Sequence, residues 1–420
     1  MTRLKTTFAV VLWLSAGSLS STAQIRELWH RDFTHVYPDW GVVGGSSFVT
    51  NYVAIIVKVD RLGNTLVAGS VNSLNRGPES GPTLAKITPS GELAWMFVAP
   101  SVGDAGVQTL ALSESGIAFF GAPLFMSPSN GYALIAVDAD GAELWRKVDN
   151  GSLGVRPSSS LKLDTAGNVL WLHLRLTMKD ETPGSELLVS KYTPQGQLLW
   201  ELALPDGRYG LPWHGLANAL CLGPDGSSFV TGGYRANEDE FGFVAKVSPH
   251  GELKWFRQPA VPDDPSVVEF STVALAGNGN VCAAGGHGYA VLTGDGELVR
   301  FGTYSLSGEI ISTTREGGFV MNQHAGADHL CLSQDGRVVW RTPIGTPSYL
   351  PDLGTVGDGV GGWLTLKTTS TGGGYGAALV HVDAAGTRLW LAPITNRRTL
   401  DPWDFLEYRL ESVARAPDGT

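Results

Sequence analysis

Cysteine, basic charge and long apolar runs are all scarce in this sequence, and each shortage excludes a class of protein. Three cysteines among 420 residues, Cys221, Cys282 and Cys331, stand isolated in apolar runs and are odd in number, so no disulfide framework is expected. No C-x-x-C or C-x-x-C-H accompanies them, and the nine histidines show neither H-x-x-x-H nor H-E-x-x-H spacing. Zinc, a c-type haem and other metal centres are therefore not expected. Asp138-Ala-Asp140-Gly141-Ala-Glu143 lacks the spacer and closing glutamate of a calcium loop, and its residues are those of a hairpin turn. A P-loop with its lysine and a G-x-S-x-G elbow are missing too. Lysine and arginine number 30 against 40 acidic residues, for a formal charge of −10. Without a basic patch, neither nucleic acid nor an anionic membrane is an expected partner. After the N-terminal region no segment stays apolar for the roughly 20 residues that a membrane-spanning helix needs. Blocks rich in Ala, Glu, Lys and Leu are absent as well, which excludes a helical bundle or coiled coil.

The N-terminus has a particular pattern. Arg3 and Lys5 precede an apolar core, Phe8 to Leu14, and Ser21-Thr22-Ala23 forms an A-x-A-like site before Gln24. This predicts a signal peptide over residues 1–23 and an exported mature chain from 24 to 420. Removing that segment takes two positive charges and no acidic ones.

What the sequence has in abundance is glycine, 54 of 420 residues, against a usual share of about 7%. Much of it falls in a repeat. An alternating strand, a polar turn ending in Gly and a second strand, with Trp four residues after that Gly in six of seven copies, recur as LAKITPSGELAW, IAVDADGAELW, SKYTPQGQLLW, AKVSPHGELKW, AVLTGDGELVR, LCLSQDGRVVW and VHVDAAGTRLW. Their turn glycines are Gly91, Gly141, Gly196, Gly251, Gly296, Gly336 and Gly386, at intervals of 40 to 55 residues. A second hairpin lies between each pair, as in VKVDRLGNTLVAG and LKLDTAGNVLWL. Period-2 alternation makes strands of the flanks, and the Asp-Gly and Gly-Asn pairs suit tight turns. Four strands per period of about 40–50 residues is one propeller blade. The expectation is an all-β, single-domain β-propeller with seven complete four-stranded blades. Ile25 to Phe33 and Tyr408 to Thr420 are read as the outer and inner strands of a partial eighth blade shared by the termini; because the last strand stops at Asp418-Gly419, inside its turn motif, a truncated chain is favoured over a ring closed on a two-stranded partial blade.

The phrase AVDADGAELW resembles the tryptophan-docking repeat of quinoprotein-like (PQQ-like) propellers and related secreted bacterial repeat proteins. That family holds both pyrroloquinoline quinone dehydrogenases and non-enzymatic scaffolds. The resemblance implies that Trp95, Trp145, Trp200, Trp255, Trp340 and Trp390 dock between neighbouring blades as a structural belt, with Arg300 marking a weakened junction. It does not extend to the dehydrogenases, whose adjacent cysteine pair and Glu/Asn/Asp calcium set have no counterpart here, so no cofactor is expected. Nor does a lipobox cysteine stand near the cleavage site.

Functional residues are expected on the connecting segments, because loops on a rigid scaffold are the usual place for binding. Arg208, Tyr209, Trp213 and His214 cluster in one such segment, and Trp403 and Asp404 lie in another. The long segments Pro123 to Gly131, Met178 to Ser185 and Tyr234 to Glu240 are read as loops. These features predict an exported, monomeric, non-enzymatic module binding a protein or carbohydrate. The competing reading is a periplasmic or cell-surface hydrolase or lyase acting on polysaccharide, with its site over the central channel.

Overall fold

The computed structural model describes residues 8–14, 25–32, 50–73, 81–99, 106–126, 129–150, 160–179, 182–205, 219–236, 239–259, 269–286, 288–303, 308–314, 316–323, 328–343, 354–357, 362–371 and 374–394. All regular structure among them is β. Seven sheets each contain four antiparallel strands in chain order. Blade 1 runs from Thr50 to Val98, blade 2 from Thr109 to Asn150, blade 3 from Ser160 to Ala203 and blade 4 from Leu220 to Arg257. Blades 5, 6 and 7 span Phe270 to Thr303, Gly308 to Pro343 and Gly354 to Ile394. The first strands of successive blades touch one another, and the outer strands, such as Leu198–Ala203 and Leu298–Thr303, are largely exposed. This is the radial order of a β-propeller.

The repeat phrase sets the local geometry. Among the described residues, the turns between first and second strands and between third and outer strands end in a glycine whose φ lies near +80°, as at Gly91, Gly196 and Gly251, a conformation that costs side-chain-bearing residues roughly 1 kcal/mol or more. In all seven blades the ladder between third and outer strands slips by one residue just before the Trp position, as between Lys191 and Tyr192. A bulge of this kind re-aims the next side chain. It also leaves neighbouring apolar residues outward, so Leu198 and Leu199, Leu298 and Val299, and Val338 and Val339 are exposed.

The core lies between blades. Leu66 and Leu84 of blade 1 pack with Phe120 and Ile135 of blade 2. Phe119 and Leu134 meet Val169 and Trp171 of blade 3, and Leu170 and Val189 meet Val230 and Phe243 of blade 4. The pattern continues through blades 5, 6 and 7. Each fully buried side chain of this size contributes about 1.5–3 kcal/mol.

Ile25–Asp32 pairs with Phe8–Leu14, and the inner strand expected beside it, Tyr408 to Thr420, lies outside the described residues. One expectation changes. The segments read as loops in blades 2, 3 and 4 are chiefly strand. Second and third strands stay paired out to Met126 and Ser129, Lys179 and Thr182, and Ala236 and Asp239, because backbone ladder bonds form regardless of side-chain polarity. Among the described residues, no helix is long and apolar enough to cross a membrane.

Candidate functional site at the joint between blades 2 and 3

Most junctions share one device. The Trp95 indole lies against Gly141 of the next blade, where a methyl would stand 2.7 Å from the ring. Its Nε1 donates to the Ala139 carbonyl at 2.8 Å. Trp145 does the same to Pro194, Trp200 to Pro249 and Trp255 to Gly294, at 2.8, 2.9 and 3.1 Å. Trp340 packs on Gly386 and stacks on Trp363, with ring centroids 5.4 Å apart. The Trp390 side chain lies outside the described residues. Arg300 takes the same seat against Gly336, its Nε donating to the Asp335 carbonyl at 3.3 Å. There Tyr289, buried, donates its hydroxyl to the Gly336 carbonyl at 3.0 Å.

Three lysines absent from the sequence-level reading add a second tie. Lys86 reaches Asp60 of its own blade and the Ala139 carbonyl of the next, both at 3.3 Å. Lys246 makes the same pair of contacts to Asp225 and Gly294, and Lys191 meets Asp164 at 2.9 Å. Their sequence signal is a lysine five residues before the turn glycine, at Gly91, Gly196 and Gly251.

The junction between blades 2 and 3 keeps this device and adds a polar set to it. Asp149 stands four residues beyond Trp145, where the other blades carry Ala99, Leu204, Pro259, Tyr304, Ile344 and Ile394. By strand register, His173 occupies the place of Gly69, Ala122, Gly232, Gly285, Gln323 and Lys367. Ser190 replaces Ala85, Ile135, Ala245, Ala290, Leu330 and Val380. Polar groups at all three places touch one another. Asp149 Oδ2 lies 2.8 Å from His173 Nδ1, His173 Nε2 is 3.1 Å from Ser190 Oγ, and Ser190 Oγ donates to Glu201 Oε2 at 3.0 Å. One Arg175 nitrogen bridges Asp149 at 3.2 Å and Glu201 at 3.0 Å. The Trp171 ring covers His173, with centroids 3.6 Å apart and planes 12° from parallel.

The order Asp–His–Ser is that of a nucleophilic relay, but its floor is closed. Ser190 is 0% and His173 1% exposed. The rim, formed by Asp149, Arg175 and Glu201, is partly open to solvent. Burial pulls the His173 ring below the ordinary imidazole value, against the opposing pull of Asp149 and Glu201. Burial also acts to raise the Asp149 carboxyl, yet His173 and Arg175 together hold it below the usual carboxylate range. Burial, with Glu201 and Asp149 adding to it, pushes the Tyr192 hydroxyl up to about 12. The thiols are no readier to react: burial pushes Cys221 up to about 12 and Cys331 up to about 11, and raises Cys282 as well.

Arg208, Tyr209, Trp213, His214, Trp403 and Asp404 all lie outside the described residues. Among the described residues, no group of three or more His, Cys, Asp or Glu side chains is placed to hold a metal ion.

The class of protein is a β-propeller, with seven four-stranded blades among the described residues. No protein-family model and no curated protein matches the chain. Among solved structures, virginiamycin B lyase from Staphylococcus aureus is similar at 13% identity and a TM-score of 0.43, over 70% of this chain and 85% of that one. The Pan2 WD40 domain of Neurospora crassa is similar at 10% identity and 0.41, over 83% and 90% of the two chains. A protein of unknown function from Bacteroides caccae is similar at 16% and 0.37, over 63% and 91%. Activity does not transfer at such distances.

Proposed function

We propose that this chain is an exported, non-enzymatic β-propeller that binds a protein or carbohydrate through the segments joining its strands and blades. The observation that carries this reading is the closed floor of the Asp149–His173–Ser190 set. These residue types are suited to nucleophilic chemistry, yet the serine is sealed and its hydroxyl is engaged by Glu201, so the set acts as a polar joint. The recurring tryptophan–glycine junctions support the same reading, because they make a rigid frame on which connecting segments are free to vary. The N-terminal pattern supports export, and the tryptophan-and-glycine repeat supports kinship with quinoprotein-like scaffolds.

The protein lacking residues 1–23 is expected to show no turnover on a panel of glycosides, polysaccharides, alcohols and esters. Sustained turnover on any of them overturns the proposal. A second reading, polysaccharide cleavage, draws on Asp149 and Glu201 sharing one Arg175 nitrogen, since carboxylate pairs about 5–10 Å apart serve glycoside hydrolysis. Turnover that Glu201→Gln abolishes would favour it.

A further inference from the structure

We propose that the aromatic rings in the joint between blades 2 and 3 form a relay for one-electron oxidation, with Tyr192 as its terminus and the Ser190–Glu201 pair as the exit for the proton. Four oxidisable side chains follow one another there. Trp145, half-buried at the outer end, has its ring centroid 6.2 Å from that of Tyr192. Tyr192 is 6.5 Å from Trp171, and Trp171 is 6.1 Å from Tyr132. At such centroid separations neighbouring rings pack edge to edge or face to face, so an electron passes from one to the next with no group between. Tyr192, Trp171 and Tyr132 are all buried. The belt residue Trp255 instead lies beside Phe229, whose ring resists one-electron oxidation.

The rings differ in where a proton can go. Loss of one electron makes an indole N–H or a phenol O–H far more acidic, and the radical settles where that proton finds a base. Trp171 Nε1 is buried with no partner. Trp145 Nε1 donates to the Pro194 carbonyl at 2.8 Å, and the Tyr132 hydroxyl to Gln108 Oε1 at 3.1 Å; both acceptors are amide oxygens, too weakly basic to take the proton. Tyr192 is placed otherwise. It stands two residues from Ser190 on the same face of their strand, and its hydroxyl is hydrogen-bonded to that serine. Ser190 Oγ donates in turn to Glu201 Oε2 at 3.0 Å, at the rim that is partly open to solvent. A one-electron oxidant such as the carbonate radical takes an electron from Trp145 and is reduced to carbonate. Tyr192 refills the indole with one electron, its O–H proton passes to Ser190 Oγ, and the serine's own proton passes to Glu201. A neutral tyrosyl radical and a protonated Glu201 remain. A soluble reductant such as ascorbate then returns the electron, and Glu201 returns the proton. The relay uses none of the connecting segments named above, so its failure would leave the proposed function untouched.

Pulse radiolysis with the azide radical, which oxidises tryptophan ahead of tyrosine, tests the relay. Decay of the indolyl absorption matched by growth of the phenoxyl absorption is expected, at a rate independent of protein concentration. Tyr192→Phe, which keeps the ring, is expected to abolish the fastest phase of that growth with the far-UV spectrum unchanged. Glu201→Gln is expected to slow the same phase at least tenfold while leaving the initial oxidation of indole as it was. A fastest phase that persists in Tyr192→Phe, or an equal rate in Glu201→Gln, overturns the proposal. The unaltered protein gives an independent readout, because a phenol that loses its proton with its electron should transfer more slowly in heavy water. Equal rates in light and heavy water would also overturn the proposal.

Discussion

At the scale of the residue, His173 is out of place by the standard of the chain's own repeat, which puts glycine or alanine there in four other blades. With a neutral imidazole, two protons serve the three contacts from Asp149 through Ser190 to Glu201. A third proton would complete them, but the buried ring resists the charge. The sign of the pH dependence follows. The folded-state pKa is below the unfolded value of about 6.5, so the stability linked to His173 is fully present above that pH and is lost as pH falls toward the folded value. Asp149, lowered in the fold, contributes its own loss only nearer pH 4, outside this window. The prediction concerns a triple variant, Asp149→Leu with His173→Ala and Ser190→Ala, which restores the residue types of the other blades and leaves Arg175 paired with Glu201 at 3.0 Å. Urea midpoints of the unaltered protein should fall between pH 7.5 and 5.5, by at most about 1.4 kcal/mol per pH unit. Those of the triple variant should stay level and be no lower at neutral pH, since apolar replacement of a buried ionic set is often neutral or stabilising. Parallel curves would remove His173 as the cause. Metal and hydrolase spacings do not reveal this set, because its members come from three strands of two blades. Superposed repeats do, since in the other blades the three positions are small or apolar except for Gln323 and Lys367.

At the scale of the element, the glycine-turn hairpins were legible, and the resemblance already implied that the tryptophans dock between blades; the group each one meets there was not legible. The turn glycine and the tryptophan four residues later showed in the sequence as parts of one phrase. In the structure Trp95, Trp145, Trp200, Trp255 and Trp340 each meet the glycine of the following blade, as Trp200 meets Gly251. Two substitutions separate the two duties of a turn glycine. Gly251 has φ +84° and an added methyl would stand 2.7 Å from the Trp200 ring, whereas Gly279 has φ +87° and nothing within 4 Å. Gly279→Ala should therefore cost only the backbone penalty, about 1 kcal/mol, while Gly251→Ala adds the displacement of a docked indole, roughly 1–3 kcal/mol more. Urea unfolding compares them directly. Equal losses would show that the tryptophan yields without cost.

At the scale of the whole molecule, seven blades could be counted from spacing alone because every blade repeats the same turn chemistry. The fate of the terminal segment could not, since Phe8 to Leu14 is apolar and β-prone as well as signal-like, and composition does not separate the two. The weakened junction assigned to Arg300 is a further case. A lost tryptophan was visible in the sequence, but the buried Tyr289 hydroxyl that reaches across to Gly336 belongs to a different strand and carries no motif. In a chain whose blades contact mainly their neighbours, stability approximates a sum over junctions. The seam between blades 5 and 6 also buries an apolar cluster around Phe319 and Met321, and of the two polar contacts at the Trp position the one shielded from water should contribute more. Arg300 is exposed and Tyr289 is 6% exposed. Tyr289→Phe leaves the Gly336 carbonyl without that donor and should cost about 1–2 kcal/mol. Arg300→Ala removes a solvated contact and should cost less than about 1 kcal/mol. Hydrogen exchange should place the difference at this seam, with the Gly336 amide, which donates to Ser333 at 2.9 Å, exchanging faster in Tyr289→Phe than in Arg300→Ala. The reverse order would make the arginine, despite its exposure, the residue that closes the seam.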